Sequence, residues 1–443
     1  MNIAFIPIDN RPVCYTLPVQ IAEIDKDINL FLPKREMLGD LVKCADVEGI
    51  FEWLKNLSNI DAIVISLDTV AYGGLIPSRR SPDTFEEIKT RIEKLKEILV
   101  SKNAKIYAFS SIMRISNNNI NQEEKEYWNK WGKRIFDYSY QTHKLGCESC
   151  ITNLIPSEIL DDYISTRNRN FEINKIYLDW QKQGIFETLV FSKDDCAEYG
   201  FNVQEAKALE DLGGFVKTGA DEIPLTLLAR AIERPLKVKP IFLEPDYKDL
   251  ISNYEDVSIE KSVLGQLELA GCEICDDFDV ALYVNNFETK QGEIVMKIDT
   301  KPFSNEWEVP QSPYMIADVR FANGADNEFV KKIFEKGLDN NFYGYSAWNT
   351  SANSLGSLIC ATKFKNGTNI DENSFVRLQV IRFLDDWAYQ ANVRQKLEKP
   401  DIKKVKELMK PYEDTIFDLF KVKYNVNYKF PWDRLFEVEV ELN

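Results

Sequence analysis

The chain has 443 residues, 44% of them hydrophobic, enough to bury a core in two to three domains or in one large barrel-type unit. Its 71 acidic residues against 55 basic ones give a formal charge of −16, which opposes binding to nucleic acid or to an anionic membrane. A single histidine, His143, rules out a multi-histidine metal site in one chain. It also argues against Ser-His-Asp or Cys-His chemistry, leaving carboxylates, Tyr, Lys, Arg or a bound cofactor.

The opening Met1–Asp9 stretch has no basic flank and too short an apolar run for a signal peptide. No stretch reaches the roughly 18–20 apolar residues that span a bilayer, so a soluble, cytoplasmic protein is expected. Strand-like runs fall at 3–8, 29–32, 62–67, 105–109, 188–191 and 215–217. Between them Phe85, Ile88, Ile92, Leu95 and Leu99 recur at helical spacing. Residues 117–184 read as a helical insertion, with Trp128, Trp131, Phe136 and Tyr140 as packing groups. The pattern restarts near 235, with strands at 241–243, 280–284, 315–319 and 343–347 and a helix at 259–269. The tail is mainly helical and ends in a strand at 435–442.

Apolar strands alternating with amphipathic helices predict an α/β fold with a parallel sheet. A TIM-barrel-like βα repeat is the leading architecture, and two doubly wound Rossmann-like sheets are the alternative. The expected organisation is a catalytic part at 1–235, a second α/β part at 236–365 contributing to the same cleft, and a helical region at 366–443. The eight cysteines include two C-x-x-C pairs, Cys147/Cys150 and Cys272/Cys275. The pairs lie far apart and lack Gly-rich knuckles, so reduced structural thiols are expected rather than a zinc site.

In parallel sheets ligands sit beyond the carboxyl ends of the strands. Nearly every predicted strand here ends in a polar cluster. The first supplies Asp9, Asn10 and Arg11. The third supplies Asp68, Tyr72 and Arg79, the fourth Arg114, the fifth Asp194 and Asp195, and the sixth Asp221 and Glu222. Later strands supply Asn285, then Asp318 and Arg320 with Asn323 and Asp326, then Trp348 and Asn349. Each could be a helix cap or turn residue, but loops on the opposite edge show no such enrichment.

The runs Phe5-Ile6-Pro7-Ile8-Asp9-Asn10-Arg11-Pro12 and Ser66-Leu67-Asp68-Thr69-Val70-Ala71-Tyr72-Gly73-Gly74-Leu75 resemble an uncharacterised bacterial family catalogued as a domain of unknown function. The likeness continues through Phe191-Ser192-Lys193-Asp194-Asp195-Cys196, Thr218-Gly219-Ala220-Asp221-Glu222 and Ala347-Trp348-Asn349-Thr350-Ser351-Ala352-Asn353-Ser354-Leu355-Gly356, reaching about residue 365. The resemblance implies no activity. The adjacent Asp194-Asp195 is also similar to the Asp pair of certain N-acetylglucosaminidases, in which one Asp orients the substrate acetamide.

Carboxylates, amides and an indole suit a polyhydroxylated small molecule, and glycoside hydrolysis needs only two carboxyl groups. Asp195 and Glu222 are the expected proton-transfer groups, with Asp194 and Asp221 positioning, no cofactor, and a sugar as partner. The rival reading is a Mg- or Mn-dependent enzyme on a phosphorylated or carboxylated substrate, with Asp9, Asp68 and Asp194 holding the ion and Arg11, Arg79 and Arg114 clamping the anion. A third is a non-catalytic sugar-binding protein.

Overall fold

Runs of Ile, Val, Ala and Phe form parallel strands β1 (Asn2–Ile6), β2 (Asn29–Phe31), β3 (Ala62–Ser66), β4 (Lys105–Ile112), β5 (Thr188–Lys193) and β6 (Val216–Thr218). They lie in the order β2-β1-β3-β4-β5-β6. All five residues of β3 are buried, as expected of a strand covered on both faces. The computed structural model describes residues 1–194 and 197–443. By contacts they divide into one unit of Met1–Tyr15, Asn29–Pro224 and Tyr254–Asp256, and a second of Thr16–Ile28, Leu225–Asn253 and Val257–Asn443.

In the first unit, helix Phe85–Ser101 places Ile88, Ile92, Leu95 and Leu99 in the core, and a capping box at Thr84 and Glu87 fixes its start. The expected insertion holds helices Trp128–Leu145 and Ser157–Lys182. The second ends as an ordinary crossover helix, with Ile173, Tyr177, Leu178 and Trp180 in the sheet core. Its beginning joins a satellite cluster of Met113, Trp128, Ile135, Tyr138, Leu160 and Tyr163. Trp128 is therefore a packing group, as its spacing suggests.

The second unit repeats the plan with β7 (Lys237–Phe242), β8 (Glu273–Ile274), β9 (Val280–Asn285), β11 (Tyr314–Asp318) and β13 (Phe342–Ser346), in the order β13-β11-β9-β7-β8. All its pairs are parallel. The two-residue strands β10 (Gly292–Glu293) and β12 (Phe321–Ala322) pair separately, and β14 (Val426–Lys429) and β15 (Glu439–Leu442) form an antiparallel pair.

Among the described residues neither sheet closes on itself: β2 and β6 bound the first, β13 and β8 the second. The strand order is that of two parallel sheets of βα units, with no closed barrel among the described residues. In both sheets the chain lays its second strand on one side of the first and its third on the other. The carboxyl ends of the first and third strands therefore form a topological switch point, where a ligand-sized crevice opens. The C-terminal stretch is mainly helical and ends in a strand, and by contacts it groups with the second unit. Helix Ser351–Lys365 packs on β11 and β13, helix Glu372–Arg382 packs on β13, and residues 16–28 join this unit too. Hydrophobic periodicity marks helices but not their distant partners, so those boundaries were not readable.

Candidate functional site

The β1/β3 switch point carries Asp9 and Arg11 from the loop after β1 and Asp68 from the first turn of helix Leu67–Tyr72, which follows β3 directly. Arg11 Nε donates to both oxygens of Asp9 at 3.0 and 2.9 Å, and its Nη2 donates to Asp221 Oδ1 at 2.6 Å. The three side chains are at most 10% exposed. Strands β1 and β6 stand four spacings apart, about 19 Å at ~4.8 Å each. The loops after both strands must therefore lean inward over the sheet's edge, and the guanidinium fork joins them. Asn10, half-buried, is tied through its backbone, donating to Gly39 O at 3.1 Å and accepting from Arg35 Nε at 2.8 Å.

A second charged group lies on the same edge. Arg114 donates to Glu123 at 2.7 Å and to Glu124 at 3.2 Å, and lies 3.5 Å from Asp194. Arg79, 1% exposed, donates to Asp194 at 3.3 Å and sits 3.6 Å from both Glu123 and Glu124. Behind them Arg167 grips Glu205 with two bonds of 2.8 and 2.6 Å and holds the Arg114 carbonyl at 3.4 Å. Glu123 and Glu124 were not among the expected site residues. Their signal was weak, a pair of acids in a polar stretch that reads as a solvated surface.

Asp68 differs from these carboxylates. It is 1% exposed, and its Oδ2 accepts the Ser111 backbone N–H at 2.8 Å. Burial pushes its pKa up to about 7, against the lowering effect of the Ser111 hydrogen bonds and the Arg79 charge. Tyr72 lies beside it, 3% exposed, with the Arg169 guanidinium 5.5 Å over its ring. Burial, and then the Asp68 charge, raise the Tyr72 phenol far above its ordinary value, so it stays protonated. Glu222 is 2% exposed, just ahead of helix Ile223–Ala231. Asp195 lies outside the described residues, so its expected role and the Asp194-Asp195 likeness have no structural counterpart to report.

The second unit has its own polar centre. Asn285 donates to Asp318 at 2.8 Å and accepts from Arg320 Nε at 3.0 Å, while Arg320 Nη2 donates to Glu244 at 2.8 Å. Asp318, fully buried, also accepts from Tyr345 OH at 3.0 Å and the Asp326 N–H at 2.8 Å. Burial and the Asp326 charge raise its pKa to about 8. Asp326 caps helix Asn327–Lys336, the plain role open to it from sequence. Asn323 and Asn349 both take left-handed backbone, and the Asn323 N–H donates to the Asn349 carbonyl at 3.0 Å.

Next to this centre runs a π-helix, Phe383–Val393, a rare geometry that recurs at functional sites. It buries Asp386, which pairs with Arg382 at 2.8 Å and accepts the Ala347 N–H at 2.6 Å. Burial raises both carboxyl pKa values of the Asp385-Asp386 pair, and the Asp386 charge raises Asp385 further. Sequence reasoning missed the pair. The available signal was two adjacent acids inside the apolar run Phe383-Leu384-Asp385-Asp386-Trp387-Ala388-Tyr389.

Trp348, expected to stack on a ligand, is 2% exposed, with its ring 5.6 Å from Phe436. It occupies a core position, covered by Phe436 from the segment between β14 and β15. Trp348→Ala is therefore expected to cost about 3–5 kcal/mol, as for other buried indoles. Urea unfolding checks this, and a change under 1 kcal/mol would return the ring to the site. His143 is half-buried, and its Nδ1 accepts the Gly200 N–H at 3.0 Å, a loop-holding role.

Among the described residues no three His, Cys, Asp or Glu side chains are grouped to hold a metal ion. Asp9, Asp68 and Asp194 thus do not form the ligand set that the rival reading required. The fold and these clusters define a parallel α/β protein with a buried polar centre at the carboxyl edge of each sheet. The chain belongs to the family described as "Protein of unknown function (DUF4127)", whose model matches residues 3–441. The family thus extends beyond residue 365, through the C-terminal strands. No curated protein matches the chain, and no solved structure matches it. No helix among the described residues is long and apolar enough to cross a membrane.

Proposed function

We propose that the first unit hydrolyses glycosidic bonds with carboxyl groups at the carboxyl edge of its sheet. The observation that carries this reading is Asp68, a buried carboxyl whose pKa of about 7 keeps much of it protonated near neutrality. Glycoside hydrolysis needs one carboxylic acid to protonate the leaving oxygen and one carboxylate to attack or to activate water. Asp68 suits the first task. Glu222 and Asp195 are the candidates for the second, with Asp194 and Asp221 positioned by arginines.

The arginines favour a neutral substrate. Arg11 is engaged by Asp9 and Asp221, and Arg79 and Arg114 by Glu123, Glu124 and Asp194. Three guanidinium groups among five carboxylates make the edge net acidic, which repels phosphate or carboxylate ligands. The test is a panel of 4-nitrophenyl glycosides assayed from pH 5 to 8, with and without EDTA. Turnover of at least one glycoside, surviving EDTA, is expected. Loss on EDTA with recovery in magnesium or manganese would move the assignment to a metal-dependent enzyme, and cleavage of 4-nitrophenyl phosphate alone would overturn it.

A further inference from the structure

The first unit contains a cleft of about 530 Å³ outside the charged clusters, within the range of about 300–1,000 Å³ typical of small-molecule sites. Its walls include Asp83, Phe85, Lys125, Asp162, Asn168 and Arg169. Two of these walls continue directly from the candidate site. Helix Leu75–Arg80 carries Arg79 and runs into the Ser81–Phe85 wall, and Glu123-Glu124 run into Lys125. Arg169 locks the first wall in place by donating to the carbonyls of Ser78, Ser81 and Asp83 at 3.1, 2.7 and 2.8 Å.

Lys125, Asp162, Asp83 and Glu172, charged groups of the cleft, are each held in an ion pair. Lys125 Nζ binds both oxygens of Asp162, at 2.8 and 2.7 Å, and Thr166 at 2.8 Å. Tyr127 OH also donates to Asp162, at 2.8 Å. Arg91 pairs with Asp83 at 2.8 Å, and Lys175 with Glu172 at 2.6 Å. What faces a ligand is the exposed amide of Asn168 and the half-buried ring of Phe85, which also packs on the sheet core, while the Ser165 hydroxyl, donating to the Asp162 carbonyl at 3.0 Å, and the Thr84 hydroxyl, held in the capping box with Glu87, are left to accept. Amides and hydroxyls exchange hydrogen bonds with sugar hydroxyls, and an aromatic ring packs against the C–H surface of a pyranose.

We infer that this cleft is a subsite for the non-reacting units of a neutral oligosaccharide, so that the substrate is a chain of several sugars rather than a single glycoside. The inference rests on the glycosidase reading of the adjoining edge for the place of cleavage, but the cleft's sugar binding can be measured without turnover. Contacts with remote units supply binding energy that a one-sugar substrate lacks.

The experiment screens the purified protein on an array of neutral mono- to hexasaccharides, then measures Kd by calorimetry for the monosaccharide and tetrasaccharide of the best-bound series. Two variants, Asn168→Trp at an exposed position and Phe85→Ala, are compared with wild type, and their melting temperatures confirm folding. The tetrasaccharide is expected to bind at least about tenfold more tightly than the monosaccharide, and Asn168→Trp to weaken it about tenfold with a smaller effect on the monosaccharide. Equal affinity at every length, an unchanged tetrasaccharide Kd in both variants, or no glycan bound would each overturn the inference. Length-dependent binding without hydrolysis of any bound glycan or 4-nitrophenyl glycoside sinks the hydrolase reading alone. Hydrolysis with no length dependence sinks the subsite alone.

Discussion

Replacing Asp68 by Asn should lower turnover of whichever 4-nitrophenyl glycoside the protein cleaves by about 10²–10⁴-fold, the usual cost of losing a general acid or base. The protein should stay folded, because the Asn carbonyl can still accept the Ser111 N–H that Asp68 accepts at 2.8 Å. The pH dependence of stability gives a second readout. Asp68 rises from the ordinary 3.8 to about 7 on folding. Between those values the folded protein holds a proton that the unfolded chain has released, so this group's contribution to stability falls as pH rises from about 4 to 7. Asp68→Asn removes that decline, so the variant should gain on wild type between pH 5 and pH 8 in urea unfolding. A gap between the two proteins that is the same at both pH values would show that no buried proton sits at this position.

Arg11→Met should destabilise the first unit by about 3–5 kcal/mol, because two buried carboxylates lose their shared cation. Asp9 and Asp221 are 4% and 10% exposed in the pair, so water screens them little. Arg11→Lys should recover only part of the loss. A single ammonium cannot reproduce a planar fork that meets Asp9 through Nε and Asp221 through Nη2. Urea unfolding monitored by tryptophan fluorescence measures both variants, and a loss below 1 kcal/mol in Arg11→Met would show that the bridge is not needed to hold the two loops.

Strands that read as unbroken apolar runs in the sequence, such as β3 and β9, lie where the pattern puts them. Others were hidden for local reasons. The expected strand at 241–243 began too late because β7 opens with Lys237, Lys239 and Pro240. Pro240 is tolerated because β8 pairs only with Lys237 and Val238, and the Leu243 N–H that bonds Val284 places the proline's side of the alternation on the open flank. Two-residue strands such as β8 are too short to carry any pattern.

The site was legible as an edge but not as a set of partners. Asp9, Arg11, Arg114, Asp194 and Asp221 lie in the loops that follow β1, β4, β5 and β6, and Asp68 and Arg79 lie in the two short helices that follow β3. Arg11 and Asp221, however, are 210 residues apart, and only the folded sheet joins them. The same limit hid Glu244, which Arg320 holds across 76 residues, and Asp386, which accepts the Ala347 N–H across 39.

Helix Thr16–Ala22 lies early in the chain yet belongs to the second unit, and its partners are synthesised last. It buries Leu17 and Ile21, Asp25 pairs across to Ile370, and Asn369 bonds Asp27 over 342 residues. At the roughly 5–20 residues per second of ribosomal synthesis, that segment waits about 20–70 s for its partners. The first unit's chain, which ends at Asp256, is by then complete. During translation this short apolar segment thus lacks its native cover, and being too short to hold a helix alone it takes up its helical form only once residues 351–382 are made.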